Sequence, residues 1–156
     1  MIPAPALRRS GFLLIALCAV ACSSATGPDP SLRAFLGVYA LASVDGSPVP
    51  VIQHDYSTTR QYLVADTIRA DGIGHFSRTT VTRTDSVGRP YSSFYRESSA
   101  SAYNVRADTI HFVYTCPPGA ACVPPPIGWL SADGGFTLAD DFTTGYNFIS
   151  RYYRVP

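Results

Sequence analysis

Three histidines, His54, His75 and His111, are the side chains of this sequence best suited to hold a metal or move a proton near neutral pH. A metal site would require them to converge from a loop and two strands. Their neighbours speak against it. His75 precedes Phe76 and His111 precedes Phe112, so on extended chain each histidine points away from the face its phenylalanine buries. The expectation is two surface histidines, placed as cross-strand neighbours on the outside of a sheet. His54 stands beside Asp55, and adjacency does not make a triad. Glu97 is the only glutamate, and no aspartate lies at a spacing that pairs with it for glycoside chemistry. Serines are plentiful, but no G-x-S-x-G is present, and phosphate loops and dinucleotide fingerprints are missing too. The residues therefore point away from an enzyme, and toward no metal and no cofactor.

The cysteines carry a different chemistry. Met1 to Ser10 holds two positive charges, Arg8 and Arg9, and no acid, and the run from Gly11 to Ala21 is apolar. That run is too short to cross a bilayer as a helix, which takes roughly 20 residues. A basic start before a short apolar core is the layout of a secretion signal. Ala19-Val20-Ala21-Cys22 then resembles the lipobox of bacterial lipoproteins, in which a small residue precedes the cysteine that receives the lipid. This predicts a signal peptide over 1–21, lipidation at Cys22, and a flexible tether over 22–33 rich in Ser, Gly and Pro. The folded domain is expected over 34–156. No aspartate follows Cys22, which leans toward the outer membrane. The reading is a lipid-anchored protein of the bacterial cell envelope facing the periplasm, with the membrane as its partner. Cys116 and Cys122 remain as an even pair in an oxidising compartment. Pro117-Pro118-Gly119 between them favours a reversal, and closing so short a loop would contribute roughly 2 kcal/mol. The absence of an intervening His or acid, and a spacing other than C-x-x-C, favour a disulfide staple over metal or redox work.

Charge narrows the partners further. All twelve basic residues are arginine, and removing Arg8 and Arg9 leaves ten against eleven acids. No basic run exists to follow a phosphate backbone, so nucleic acid is not an expected partner. Hydrophobic residues at 46% and aromatic residues at 12% supply enough apolar surface for a packed core.

These side chains must be positioned by strands. Tyr, Val, Thr, Ile and Phe recur in short segments divided by Gly, Pro, Asp and Ser. Strands are expected near 38–44, 60–69, 74–83, 91–97, 101–106, 109–115, 127–131, 136–139 and 146–154. One helical turn is expected over 31–36 with Ser31 as its cap. Asp71-Gly72 and Asp133-Gly134 read as hairpin turns. Pro48 and Pro50 open what reads as a long loop to Thr59. Ala-Asp-Thr-Ile occurs at Ala65–Ile68 and again at Ala107–Ile110, as if marking two equivalent strand ends. Alternation places Tyr39, Leu41, Phe76, Ile110, Phe112, Tyr114, Phe136 and Leu138 on inward faces, where they would line a ligand or fill the core. Trp129, in a short strand between turn signals, is expected to be buried. Aromatic groups at Tyr91, Phe94, Tyr95 and Tyr103, and at Tyr146, Phe148, Tyr152 and Tyr153, read mainly as packing. The fold class is all-β, an antiparallel up-and-down barrel of about eight strands, with a sandwich as the alternative.

The stretch Gly37-Val38-Tyr39-Ala40-Leu41-Ala42-Ser43-Val44-Asp45-Gly46 resembles the opening strand and turn of bacterial lipocalin-like lipoproteins of uncharacterised role. Gly37-Val38-Tyr39 is similar to the lipocalin G-x-W, with Tyr for Trp. In lipocalins an arginine from the last strand covers that ring, and the resemblance points to Arg151 or Arg154. It implies a barrel and carries over no catalytic residue. Two functions remain open. One is a barrel that binds a small apolar molecule. The other is a structural or interaction protein of the envelope with a filled core and no ligand.

Overall fold

The computed structural model describes residues 29–113, 117, 125–141 and 147–156. Cys22, Cys116, Cys122, Tyr114, Tyr146 and the signal segment lie outside the described residues. A 3-10 helix, Pro30–Phe35, is followed by ten strands: β1 (Gly37–Val44), β2 (Ser47–Pro48), β3 (Val51–Asp55), β4 (Thr59–Ala70), β5 (His75–Ser86), β6 (Ser92–Arg106), β7 (Thr109–Val113), β8 (Ile127–Leu130), β9 (Phe136–Asp141) and β10 (Asn147–Val155). Eight of them close an antiparallel barrel in the order β1-β10-β9-β8-β7-β6-β5-β4, and the pairing of β1 with β4 completes the circuit. Closure leaves no edge within that circuit, as the expected barrel requires and a sandwich would not.

The two ends of the barrel differ. At one end β1 pairs with β4 from Gly37↔Ala70 to Ala40↔Thr67. Further along β1 the two strands part, and the rest of β4 takes β3 as its neighbour, Val51↔Leu63 to Asp55↔Arg60. On the other side β6 pairs with β7 only through Ala102–Arg106, although its ladder with β5 runs from His75↔Ala102 to Asp85↔Ser92. The sheet β3-β4-β5-β6 therefore continues past the closed ring as a curved wall. The 3-10 helix sits at the closed end, where Phe35 is fully buried.

Several local expectations are corrected. The separate strands over 91–97 and 101–106 are one strand, β6, because Ser98, Ser99 and Ala100 hold register with Thr79, Arg78 and Ser77. The small residues there read as punctuation, but backbone pairing does not depend on side-chain size. The expected loop from Pro48 to Thr59 contains β2 and β3, with His54 on β3 rather than in a loop. The cap of the 3-10 helix is Asp29 and not Ser31: its carboxylate accepts the Ser31 N–H at 2.9 Å. That bond holds the Asp29 carboxyl below the usual range. The repeated Ala-Asp-Thr-Ile does not mark equivalent places. Ala65–Ile68 lies within β4, whereas Ala107, at φ 55, forms the turn from β6 into β7. Trp129 is 42% exposed. It belongs to β8 as expected, but Gly128 takes the inward position, where a Cβ would stand 3.3 Å from Ile110. Period-two alternation then turns Trp129 outward.

Candidate functional site

The interior is built in layers along the barrel axis. At the closed end Phe35 is surrounded by rings. Tyr39 stacks on it at 4.9 Å, and Tyr103, Phe112 and Phe136 meet it edge-on at 5.1, 5.9 and 5.0 Å. The three edge-on contacts match the ring quadrupoles, positive edge to negative face. Phe136 in turn stacks on Tyr152 at 4.5 Å. Of the eight residues expected to face inward, Tyr39, Leu41, Phe76, Ile110, Phe112, Phe136 and Leu138 all lie in the buried core. The Tyr103 hydroxyl fastens the plug. It accepts the Gly72 N–H at 3.1 Å and donates to the Leu32 carbonyl at 3.1 Å. Burial pushes the Tyr103 phenol above its ordinary range.

Arg151 and Arg154 separate clearly. Arg154 is the register partner of Tyr39, and its Nε would lie 2.9 Å from a Cβ at Gly37. Gly37, at φ +146, admits that approach because it has no side chain. Burial raises the Tyr39 phenol, and the Arg154 charge partly offsets the rise. Arg151 faces the other way and pairs with Asp133 at 3.0 Å.

Above the rings lies a polar layer that alternation alone did not single out. Asp66 on β4 is fully buried. Its Oδ2 accepts from Arg78 Nε at 2.8 Å and from the Tyr152 hydroxyl at 2.7 Å, and Arg78 Nη2 stands 2.7 Å away. Its Oδ1 accepts from Thr80 at 3.4 Å. A buried carboxylate is stable only when paired and hydrogen-bonded, and this arrangement satisfies both needs. The signal existed in the sequence. Arg78 and Thr80 follow the inward Phe76 at steps of two, and Asp66 precedes the inward Ile68 by two.

Beyond this layer the inner face of the wall is polar. Opposed residues in a ladder share a face, so the pairs Thr80↔Glu97, Thr82↔Tyr95 and Thr84↔Ser93 continue the row begun by Phe76 and Arg78. Thr82 also opposes Leu63, a core residue, and Thr84 opposes Gln61, which opposes His54. His54 stacks on Tyr56 with ring centroids 5.7 Å apart. The threonines and Gln61 are half-buried, while His54, Glu97 and Tyr95, the last at 64%, are exposed. Among the described residues this inner face forms a polar trough with Asp66 and Arg78 at its base and exposed side chains along its rim.

The histidines do not come together. His75 pairs with Asp71 at 3.1 Å on an exposed turn. It opposes Ala102, and His111 opposes Asn104, so β6 lies between them and they are not the expected cross-strand neighbours. Among the described residues no three of His, Cys, Asp and Glu gather as a metal set. No protein-family model, curated protein or solved structure matches the chain.

Proposed function

We propose that this chain is a lipid-anchored protein of the bacterial cell envelope, whose lipocalin-like barrel takes a small ligand at its open end. The observation that carries the binding part is the division of the interior: rings fill the closed half, and the wall of the open half stays accessible above the Asp66–Arg78 floor. A barrel of eight strands has an interior that side chains can fill or that can hold one small ligand. The anchoring part rests on Ala19-Val20-Ala21-Cys22 behind the short apolar run. The rings of the closed half pack against one another, which favours the trough as the ligand's place. The second reading, a filled core acting through its surface, is favoured by the full burial of Phe35, Ile110 and Phe136.

Two measurements test the proposal. Radiolabelled palmitate should enter the chain in a bacterial host and should not enter Cys22→Ala; label in the variant sinks the anchoring. Native mass spectrometry of the full chain from the envelope should show a non-covalent adduct that leaves on denaturation. A bare mass supports the filled-core reading instead.

A further inference from the structure

We infer that the ligand of the open end is a neutral saccharide, held on the inner face of β3, β4, β5 and β6 by Thr80, Thr82, Gln61, Glu97, His54 and Tyr95. The inference rests on the binding reading above and adds the chemical class. Three features of the trough select that class.

First, the wall is built of hydrogen-bonding groups. Thr82 supplies a hydroxyl and Thr80, which donates to Asp66, supplies acceptor lone pairs from the alternate position, with Gln61 reached through Thr84 on one side and Glu97 opposite Thr80 on the other. A hydrocarbon laid there would strip water from these groups and return no hydrogen bond. Each such group left unpaired weakens binding of a hydrocarbon. A polyol replaces each lost water contact.

Second, the charges disfavour an anion. Arg78 is engaged by Asp66, and Glu97 brings a negative charge to the same face. A phosphate or carboxylate would meet Glu97 and find a cation already neutralised.

Third, the wall carries an aromatic ring that the fold leaves bare. Tyr95 sits on the inner face opposite Thr82 and is 64% exposed. A flat ring beside hydroxyls and a carboxylate suits the C–H face of a pyranose, whose rim of hydroxyls then reaches the polar neighbours. Phe94, the next residue, is just as exposed at 66% but lies on the outer face opposite Arg83. It therefore provides a control on the same strand.

The test is isothermal titration of the full chain, carried in phosphatidylcholine nanodiscs, with maltohexaose, cellohexaose and the tetramer of N-acetylglucosamine. Saturable binding of at least one is expected. Tyr95→Ala and Glu97→Gln should each weaken it about tenfold or more, and Phe94→Ala should leave it unchanged. The far-ultraviolet spectra of all three variants should match the parent, so that a loss reports contact and not unfolding. If none of the three saccharides binds, or if Phe94→Ala weakens binding as much as Tyr95→Ala, the inference is overturned. Native mass spectrometry of the envelope-derived chain separates that failure from failure of the binding reading. A lipid or other apolar adduct in a chain that ignores the saccharides leaves the binding reading standing and refutes the saccharide. A bare mass in such a chain refutes both.

Discussion

Asp66 is the residue on which the interior turns. Its carboxylate is fully buried, and one oxygen serves both Arg78 and Tyr152. Asp66→Ala would remove the carboxylate that pairs with the Arg78 guanidinium, which is only 13% exposed. Breaking one half of a buried pair destabilises by about 3–5 kcal/mol. The urea midpoint of Asp66→Ala should fall accordingly, while Asp66→Leu combined with Arg78→Met should recover much of the loss. A double variant no more stable than Asp66→Ala would show that the cost does not come from breaking the pair with Arg78. Asp133 shows the surface counterpart. The Ser131 hydroxyl, the Gly135 N–H and Arg151 hold its carboxyl at about 2, against 3.8 for an unperturbed aspartate. A depressed folded value means that the carboxylate contributes stability above pH 3.8, and that this contribution is lost as the pH falls toward about 2. A carboxyl-carbon titration by NMR should place the midpoint near 2 in the parent and higher in Arg151→Ala. Equal midpoints would remove Arg151 from the account.

At the scale of elements, the short N-terminal helix acts as a stopper. Phe35 meets four rings, and the Tyr103 hydroxyl ties the helix carbonyl at Leu32 to Gly72. Phe35→Ala would open a cavity among those rings and should cost about 3–5 kcal/mol by chemical denaturation. A loss below about 1 kcal/mol would mean that the barrel end closes without it. Strand β8 gives a spectroscopic check, because Trp129 is the only tryptophan. Its emission should lie near that of water-exposed indole and quench readily with acrylamide; a blue-shifted, protected band would contradict the outward face of β8. The elements were unequally legible. Alternation in 109–113 and 136–139 marked Ile110, Phe112, Phe136 and Leu138 as inward, because a two-residue period survives in any half-buried strand. The joining of 91–97 to 101–106 was not legible. Nothing local in Ser98-Ser99-Ala100 favours a strand, and only the ladder with β5 holds it there.

For the whole molecule, the closed ring and the extended wall come from unequal strand lengths. β5 and β6 run for 12 and 15 residues, whereas β7 and β8 run for 5 and 4. The long strands must outrun the ring, and their inner face emerges as the trough. The candidate site was therefore only partly visible beforehand. Tyr95 and Glu97 stood out as an aromatic and a sole glutamate, but Thr80, Thr82 and Gln61 are unremarkable in a list of residues. The sequence by itself determined the all-β class, the inward aromatic set and the expectation of a barrel. These follow from side-chain period, turn residues and hydrophobic content, all of which are local. Only the tertiary structure decided that those rings pack against one another and against Phe35, that Asp66 and Arg78 meet, and that Thr80 faces Glu97. Each of those outcomes joins different strands or a strand to the helix. Register and closure belong to the ladder as a whole, and no single segment contains them.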